Sequence, residues 1–439
     1  MLQKFKKHIE TKFPFLQGKK LLIAISGGID SVVLTHLLSE LNFDISLAHC
    51  NFNLRRKESG LDEEFVKKLS QKTSNQIFTI NFETEKFARK NKQSTQIAAR
   101  NLRYNWFKEL TKEHNFEAVL TGHHADDNLE TFLINLTRGS GLDGFTGIPE
   151  INGNIVRPLL IFSRDEIINY AKENNIEWRE DASNASTKYI RNKIRHQVVP
   201  VLKEINPSLL ESFSKTTENL KESKEIIIDR IDEVSLEIIS SKNNSIRINI
   251  EEIQQLSNPK AYLYQLLKKY QFTEWNDVSN LLSAQSGKQI LSETHRLIKN
   301  RDFLLISEIN FSTAPEITFE VKENQSEIIK PIHLTFEEVH QKTIENKQTI
   351  YVAKELLSYP LTIRKWENGD YFYPSGMTGK KKLSKYFKDE KFSLLEKEQT
   401  WLLCNSKNEI IWVIGKRQDN RFMFKKTNSK NIKVTIREK

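Results

Sequence analysis

The segment LLIAISGGIDSVVLTHLL, at residues 21–38, constrains the fold of this chain more than any other feature. Its apolar start predicts a buried strand, and the apolar spacing after Ser31 predicts a helix. Between them, Gly27 and Gly28 allow the backbone to turn tightly and to approach a ligand. Free amides at the helix start, together with the helix dipole, favour an anion there. The segment therefore predicts a phosphate-binding loop, with an ordinary capped strand-to-helix turn as the alternative.

Two better-known phosphate loops do not match this segment. The GxxxxGK[ST] loop needs a lysine directly after its second glycine, and Ile29 follows Gly28 here. The GxGxxG spacing of dinucleotide-binding domains is not met either, which disfavours a dinucleotide enzyme.

Strand-like and helix-like patterns alternate through the first 160 residues. Strands separated by helices of this length favour a parallel sheet with right-handed crossovers. We therefore predict an α/β domain with a doubly wound, Rossmann-like parallel sheet, which binds ligands at the carboxyl ends of its strands. Further strands are predicted at 45–50, 76–82, 117–122 and 157–162 (RPLLIF), and further helices at 61–71, 94–110, 126–137 and 164–174.

A chain of 439 residues exceeds what one hydrophobic core usually organises. We predict the doubly wound domain at 1–210. A largely helical middle domain follows at 211–345 and begins with a charged connecting helix near 208–235. A small α+β, β-rich domain is predicted at 346–439.

Basic charge is concentrated at the two ends of the chain. Residues 361–439 contain 19 basic and 9 acidic residues, a net charge of +10, whereas residues 211–360 have a net charge of −5, from 18 basic and 23 acidic residues. Such a surface favours a polyanion such as RNA, and a solvated basic surface is the alternative. Tyr371, Tyr373 and Phe422 in this basic end either stack on bases or form the core of the β-rich domain.

Cysteine usage and hydropathy limit the class of protein further. Cys50 and Cys404 lie far apart in strand-like segments, which excludes a disulfide framework and a cysteine-ligated zinc site. No apolar run approaches the ~18 residues of a membrane span. The basic N-terminus has no apolar stretch typical of a secretory signal, so we predict a cytoplasmic protein without membrane contact.

A second segment, TGHHADDNLETFLINLTRGSG at 121–141, places carboxylates at the start of a helix. Its apolar residues have helical spacing and predict a buried face. Asp126, Asp127 and Glu130 fall on the other face, just beyond a strand end. They predict Mg²⁺ ligands or an acidic pocket for a cationic substrate. Helix capping by Asp126 or Asp127, and a metal site formed by His123 or His124 without ATP, remain alternatives.

Several arginines could converge on the same cleft, because guanidinium groups bind phosphate oxygens bidentately. Each of them could instead form a surface ion pair. They are Arg100 and Arg103 beside Tyr104, Arg138, and the pair Arg191 and Arg195, which lie four residues apart on one helix face.

The SGGIDS string resembles the pyrophosphate-loop ATPases, which transfer an adenylyl group from ATP. Further strings match the tRNA(Ile)-lysidine synthase family in order and approximate spacing, and the C-terminal segment 361–422 resembles that family's C-terminal module. The matching strings are AHCNFNLRRKES, QSTQIAARNLRYNWF, TGHHADDNLETFLINLTRGSG, RPLL and EDASNASTKYIRNKIRHQVVPVLKEINP. The resemblance covers most of 20–210 and 361–422, and it is poor over 211–360.

This resemblance implies an ATP-dependent carbon–nitrogen ligase that uses ATP and Mg²⁺. It would adenylate the C2 oxygen of the wobble cytidine in the CAU anticodon of tRNA(Ile). The ε-amine of free L-lysine would then displace AMP to give lysidine. The oligomeric state stays open, a homodimer included.

The resemblance also implies residue roles. Catalytic roles fall on Asp30, Asp127, Glu130 and Arg191, and metal binding on Asp30 and Asp126. ATP binding falls on Ser26, Gly27, Gly28, Ile29, Asp30, Ser31, His49, Arg100 and Gly122. Contacts with tRNA fall on Arg138, Arg195, Lys381, Lys382 and Lys385.

The sequence differs from the family pattern at one position, and three other functions are alternatives. Phe52 stands where many family members have a second histidine, so only His49 and Asn51 carry over. A tRNA thiolation enzyme would need reactive cysteines, and only Cys50 is near the predicted ATP site. A small-molecule adenylating synthetase would not explain the basic C-terminal end. A non-catalytic RNA-binding protein would not need Asp30 and Glu130 beside a phosphate loop.

Overall fold

The computed structural model describes residues 1–54, 57–180, 190–242, 245–309, 318–341, 347–424 and 430–437. Arg55, Arg56 and residues 181–189, which belong to two of the strings quoted above, lie outside the described residues. The chain divides into two compact units, Met1–Asp229 and Arg230–Lys439.

The first unit is built on a sheet of six strands among the described residues, in the order β3-β2-β1-β4-β6-β5. Its strands pair in parallel except at the β5 edge, which is antiparallel to β6. The strands are β1 (Lys20–Ala24), β2 (Asp44–Asn51), β3 (Ile77–Asn81), β4 (Ala118–Leu120), β5 (Ile151–Asn152) and β6 (Ile155–Val156). The predicted doubly wound parallel sheet is confirmed.

Helices cover both faces of this sheet. Alternate residues of β1 face opposite sides, so Leu21 and Ile23 join one core cluster and Leu22 joins another. The first cluster includes residues of α1, α2, α3 and α8, and the second includes residues of α5. The helices are α1 (Leu2–Lys12), α2 (Ile29–Glu40), α3 (Lys57–Thr73), α4 (Thr84–Lys90), α5 (Thr95–His114), α6 (Ala125–Thr137), α7 (Leu142–Phe145), α8 (Arg164–Glu173), α9 (Ile190–Lys193) and α10 (Val199–Ile205).

The predicted strand RPLLIF is wrong. Residues 157–162 form successive turns, in which Leu160 N–H donates to Arg157 O and Phe162 N–H donates to Leu159 O. Pro158 has no N–H for a sheet ladder. Leu159 and Phe162 are nevertheless fully buried, so these apolar residues report burial rather than extension.

The long predicted connecting helix is confirmed as α11 (Leu209–Ile238), which runs across the division between the two units. The second unit begins with an antiparallel sheet in the order β7-β8-β11-β10-β9. Within it, β10 and β11 pair as an antiparallel hairpin. The elements are β7 (Ile239–Lys242), β8 (Ser245–Asn249), β9 (Gln289–Leu291), β10 (His295–Asn300), β11 (Phe303–Glu308), α12 (Ile250–Gln255), α13 (Pro259–Leu267) and α14 (Trp275–Asn280). The middle of the chain therefore combines the predicted helices with a sheet.

Short strands dominate the rest of the second unit, as predicted. One sheet has the order β12-β16-β19-β20-β21, another β13-β14-β22-β15, and β17 pairs with β18. The elements are β12 (Phe319–Val321), β13 (Glu327–Ile328), β14 (Leu334–Val339), β15 (Thr349–Ala353), β16 (Leu361–Lys365), β17 (Tyr371–Phe372), β18 (Lys381–Lys382), α15 (Leu383–Asp389), α16 (Leu394–Gln399), β19 (Trp401–Cys404), β20 (Ile410–Val413), β21 (Arg417–Gln418) and β22 (Asn431–Ile436).

Two further expectations concern the cysteines and the membrane. Cys50 and Cys404 lie in β2 and β19, as predicted, and both are free thiols. Among the described helices, none combines the length and apolarity that crossing a membrane requires.

Candidate active site

The loop between β1 and α2 is held by a local hydrogen-bond network. Gly27 has φ +90°, a conformation that favours glycine. The Ser31 hydroxyl donates to Gly28 O at 2.9 Å and accepts from Ser26 N at 3.2 Å. Ser26 Oγ lies 3.2 Å from Ser31 Oγ and accepts from Gly28 N at 3.3 Å. The two serines of SGGIDS therefore shape the loop, while Ser26 stays exposed at its mouth.

Gly122 follows β4 and packs directly on this loop. A Cβ at Gly122 would lie 2.9 Å from the carbonyl carbon of Asp30 and 3.0 Å from Ser31 N. No side chain fits there without moving this backbone, so glycine at 122 permits the chain after β4 to approach the first turn of α2.

A cleft of about 350 Å³ opens at the carboxyl ends of these strands. It lies beside the boundary between β1 and β4, where the strand order reverses because the chain returns from β3 to the other side of β1; this is the switch point of a doubly wound sheet. Of the predicted site residues, those that line it are Ser26, Asp30, Ser31, His49, Gly122, Asp127 and Arg191. Gly27, Gly28 and Ile29 belong to the same loop.

His124 lies fully buried among three carboxylates at the start of α6. Its Nε2 atom is 3.8 Å from Asp30 Oδ1 and 3.5 Å from Asp127 Oδ2, and its Nδ1 atom is 3.7 Å from Asp126 Oδ2. Within the described residues neither ring nitrogen has a hydrogen-bond partner. This imidazole therefore brings the loop carboxylate, Asp30, together with the acidic start of α6.

The carboxylates of this group titrate differently. Burial raises the pKa of Asp30, partly offset by His124, and Asp127 raises it further. Burial also acts to raise the pKa of Asp127, but the nearby His124, His123 and arginine side chains outweigh it and leave the pKa lowered. At neutral pH Asp127 is the more firmly ionised of the two.

Glu130 and Arg195 form a bidentate ion pair inside the unit. Arg195 Nε lies 2.5 Å from Glu130 Oε1, Arg195 Nη2 lies 2.9 Å from Glu130 Oε2, and the same Nη2 lies 3.0 Å from Asp127 Oδ1. Arg191 Nε is 3.5 Å from Glu130 Oε2, and its side chain is 40% exposed at the cleft wall. The geometry does not support tRNA contact by Arg195, because its guanidinium is engaged by both carboxylates.

Asp126 is engaged elsewhere. Its Oδ1 atom accepts from Lys203 Nζ at 2.7 Å, and its Oδ2 atom accepts from Arg164 N at 2.8 Å. The proposed metal role for Asp126 has no support in this arrangement. Asp126 instead ties the start of α6 to α8 and α10.

Three other side chains in the cleft have chemically informative environments. His49 Nδ1 donates to Ile25 O at 3.0 Å, and burial lowers the pKa of this imidazole, whose buried Nε2 atom has no hydrogen-bond partner within the described residues. Burial lowers the pKa of His123 to about 4, and its Nδ1 lies 2.9 Å from Thr121 Oγ1. Burial raises the pKa of the Cys50 thiol to about 12, so it is protonated at neutral pH.

The structure separates the two arginines of α5. Arg103 lines the cleft and lies over the Phe52 ring at 5.1 Å, whereas Arg100 lies exposed over the Tyr104 ring at 4.8 Å. Phe52, at the position where the resemblance implies a second histidine, also lines the cleft and stacks on Phe82. Sequence reasoning named Arg100 for ATP, but the helical offset of three residues places Arg103 at the cleft instead.

Arg164 and Lys203 were missed from the sequence. Arg164 Nη1 lies 4.0 Å from Asp30 Oδ2, and Lys203 pairs with Asp126. Lys203 lies within one of the quoted strings, but neither residue stands out in its local sequence, because the partners of both are distant along the chain.

Residues predicted to contact tRNA lie in different settings. Arg138 is exposed at the C-terminal end of α6, whose other end faces the cleft. In the second unit Lys382 and Lys385 are exposed, whereas Lys381 pairs with Asp389 at 2.8 Å.

The aromatic residues of the second unit divide between surface and core. Phe422 is buried in the core, and Tyr373 lies under the guanidinium of Arg421, which itself pairs with Asp419. Tyr371 is 39% exposed, with Lys380 Nζ 3.7 Å from its ring centre. Of the three aromatics, Tyr371 is the most accessible for stacking.

The donor set of the cleft fits Mg²⁺ bound together with a nucleotide. Among the described residues no group of three or more His, Cys, Asp or Glu side chains could hold a metal ion. Mg²⁺ bound with phosphates usually needs one or two protein carboxylates, since phosphates and water complete its shell. Asp30 and Asp127 both line the cleft, and the buried Asp30 Oδ1 has no hydrogen-bond partner within the described part of the chain.

Comparison with known families gives matches to three parts of the chain. A PP-loop domain model matches residues 1–202. A TilS substrate binding domain model matches residues 241–309, and a TilS substrate C-terminal domain model matches residues 361–435.

Full-length relatives match as well. A tRNA(Ile)-lysidine synthase of Parabacteroides distasonis is 38% identical over 428 residues, covering 96% of each chain. One from Bacteroides thetaiotaomicron is 37% identical over 432 residues, covering 98% of each chain. One from Porphyromonas gingivalis is 36% identical over 423 residues, covering 93% of this chain and 92% of the relative.

Proposed function

This chain belongs to the tRNA(Ile)-lysidine synthase family, and from that membership we propose that it converts the wobble cytidine of the CAU anticodon in tRNA(Ile) to lysidine. It is an ATP-dependent ligase of the PP-loop class. The observation that carries the proposal is the meeting, in one cleft, of the SGGIDS loop with Asp127 and Arg191.

The first proposed step is adenylation. The C2 oxygen of the cytidine attacks the α-phosphorus of ATP, and the bond from that phosphorus to pyrophosphate breaks. The SGGIDS loop and the start of α2 would hold the departing pyrophosphate, since their amides and the helix dipole favour an anion. His49, which lines the same cleft, would contact the nucleotide.

We propose that Asp30 and Asp127, rather than Asp126, hold Mg²⁺. A bound Mg²⁺ would neutralise charge that develops on the leaving pyrophosphate. Asp30 projects from the first turn of α2 and Asp127 from the first turn of α6, so both reach the cleft from helix starts. Both Asp126 and Asp127 have a basic partner, Lys203 and Arg195 respectively, but only Asp127 is among the residues that line the cleft.

The second proposed step is attack by the lysine ε-amine on C2, with loss of AMP and of a proton from nitrogen. We assign Asp127 to the lysine ammonium group as well as to Mg²⁺, because its carboxylate is ionised and lines the cleft wall. Glu130 would act through Arg195 and Arg191 rather than by direct contact with a substrate, since the residue is 1% exposed and its carboxylate is paired with Arg195. Arg191 would stabilise charge on the α-phosphate, because its exposed part faces the cleft.

The rival sulfur-transfer function is disfavoured by the state of Cys50. A thiol must ionise to act as a nucleophile, and burial raises its pKa to about 12. Cys404 is buried as well, and its pKa is likewise raised to about 12.

We also propose the remaining assignments from the sequence. These are a catalytic domain at 1–210, a middle domain at 211–345, a tRNA-recognition domain at 346–439 and a cytoplasmic location. The basic residues of 361–439, Lys382 and Lys385 among them, support tRNA recognition by that domain.

The direct test supplies the protein with ATP, lysine, Mg²⁺ and unmodified tRNA(Ile) carrying a CAU anticodon. Nucleoside analysis should then show lysidine, with one AMP and one pyrophosphate per modified tRNA. A tRNA with uridine at the wobble position is the matched control and should stay unmodified. Pyrophosphate release without lysidine would contradict the proposal.

A further inference from the structure

Arg179 lies outside the strings that drew attention in the sequence, yet it contacts the phosphate loop directly. Its backbone N–H donates to Gly27 O at 3.0 Å. Gly27 is the residue of the loop with φ +90°, and its conformation forms the turn of the phosphate-binding loop. Arg179 thus reaches the loop from the segment that follows α8.

This hydrogen bond fixes the orientation of one peptide group. The Gly27–Gly28 peptide is trans, so its C=O and its N–H point in opposite directions. With the Gly27 carbonyl held by Arg179, the Gly28 N–H points the other way and donates to Ser26 Oγ at 3.3 Å, and Ser26 lines the cleft. An amide on the Ser26 side of the loop is what an anion in the cleft would require.

The Arg179 side chain is anchored on α3. Its Nε atom lies 2.6 Å from Asp62 Oδ1, and its Nη2 atom lies 2.8 Å from Glu58 Oε2. The same helix packs against the loop, since a Cβ at Gly27 would lie 3.4 Å from the Phe65 ring and 3.6 Å from Val66. Arg179 therefore joins the loop and α3 into one assembly.

The pairing with Asp62 also affects the charge of the cleft. Asp62 lines the cleft, where a free carboxylate would repel the phosphates of ATP. The Arg179 guanidinium compensates that charge at 2.6 Å. The held orientation of the Gly27–Gly28 peptide and the compensated charge of Asp62 both favour tighter binding of an anion in the loop.

From these contacts we infer that Arg179 is a positioning residue for the pyrophosphate end of ATP. The inference rests on the proposed function, in which the SGGIDS loop holds pyrophosphate. It predicts a selective effect, because Arg179 acts on the loop and not on the adenosine, the lysine or the tRNA.

The test compares Arg179→Met, Arg179→Lys and Glu58→Gln in the full chain. Arg179→Met should raise the KM for ATP and the inhibition constant of free pyrophosphate by at least about tenfold. The inhibition constant of AMP and the Kd for tRNA should change less than about twofold. Arg179→Lys should recover part of the loss, and Glu58→Gln should show a smaller shift in the same direction.

The control is Arg89→Met, which removes an exposed surface pair with Glu85 on α4. It should change none of these constants. Pyrophosphate inhibition and a KM for ATP equal to the wild type in a folded Arg179→Met variant would overturn the inference. If Arg179→Met does not fold, wild-type values of both constants in Arg179→Lys together with Glu58→Gln would overturn it. If pyrophosphate does not compete with ATP in the wild type, the assignment of the loop itself fails instead.

Discussion

Arg195 holds the buried carboxylate of Glu130 through two hydrogen bonds, of 2.5 and 2.9 Å, and reaches Asp127 through a third. Removing one member of a buried ion pair leaves an uncompensated charge, whereas removing both does not. Arg195→Met should therefore destabilise the first unit by about 3 kcal/mol. The double variant Arg195→Met with Glu130→Gln should lose distinctly less free energy of unfolding. Urea unfolding of both proteins measures this difference, and equal losses would show that the pair is not coupled.

Asp30→Ala and Asp30→Asn should abolish pyrophosphate release while the fold stays intact. Burial raises the pKa of Asp30, so its ionised form is disfavoured in the folded state. Stability from such a group is present below its unfolded pKa and is lost as pH rises through the folded pKa. The neutral variants should therefore melt at the wild-type temperature or above it at pH 7. Ordinary pyrophosphate release by a well-folded variant would remove Asp30 from the chemistry.

Asp127→Asn should lower the rate of lysidine formation by at least about tenfold, or ~1.4 kcal/mol of transition-state stabilisation. Asp127 lines the cleft and stays ionised, because its pKa is lowered by the neighbouring histidines and arginines. Asn128→Asp is not a suitable control, since Asn128 bonds to Ile148 N. Glu85→Gln, on the exposed face of α4, is suitable and should leave the rate unchanged.

The stability of the protein should fall in acid partly because of His123. Its pKa lies near 4, below the value of about 6.5 in an unfolded chain. The unfolded state therefore binds the proton first, so stability is full above pH 6.5 and falls as pH drops toward 4. His123→Gln should lose less stability over that window than the wild type. Parallel curves of unfolding free energy against pH would contradict this.

The local parts of this architecture could be predicted from the sequence, and the long-range parts could not. SGGIDS, the alternating strands and the α6 carboxylates depend on turn chemistry and periodicity within a few residues. Whether Asp126 or Asp127 is available as a metal ligand depends on Lys203, which pairs with Asp126 from 77 positions away in the sequence. The contact of Arg179 with Gly27 crosses about 150 positions of sequence and leaves no local pattern. RPLLIF is wrongly predicted to be a strand because its residues are apolar. Apolar residues indicate burial, and here they are buried in turns rather than in an extended strand.

Two exposed lysines, Lys382 and Lys385, give the sharpest test of tRNA recognition by the C-terminal residues. Lysines that neutralise phosphates release counterions, so each lost contact lowers the slope of log K against log salt by about 1. A double Lys382→Gln and Lys385→Gln variant should bind tRNA(Ile) more weakly and with a shallower salt slope. Its KM for ATP should be unchanged, because the loop and the acidic cluster lie in the first unit.

The matched control for that variant is Lys86→Gln, which removes an exposed lysine of the first unit that pairs with Glu83. Filter binding at two salt concentrations compares the wild type with both variants, and a 1–210 fragment extends the comparison to loss of the whole region. Weaker binding of the double variant with an unaltered ATP KM would support recognition by residues 361–439. Equal affinity and equal salt slope in the wild type, the double variant and the fragment would assign tRNA binding to the first unit. In that case the net charge of +10 in 361–439 would belong to a solvated basic surface, which favours solubility.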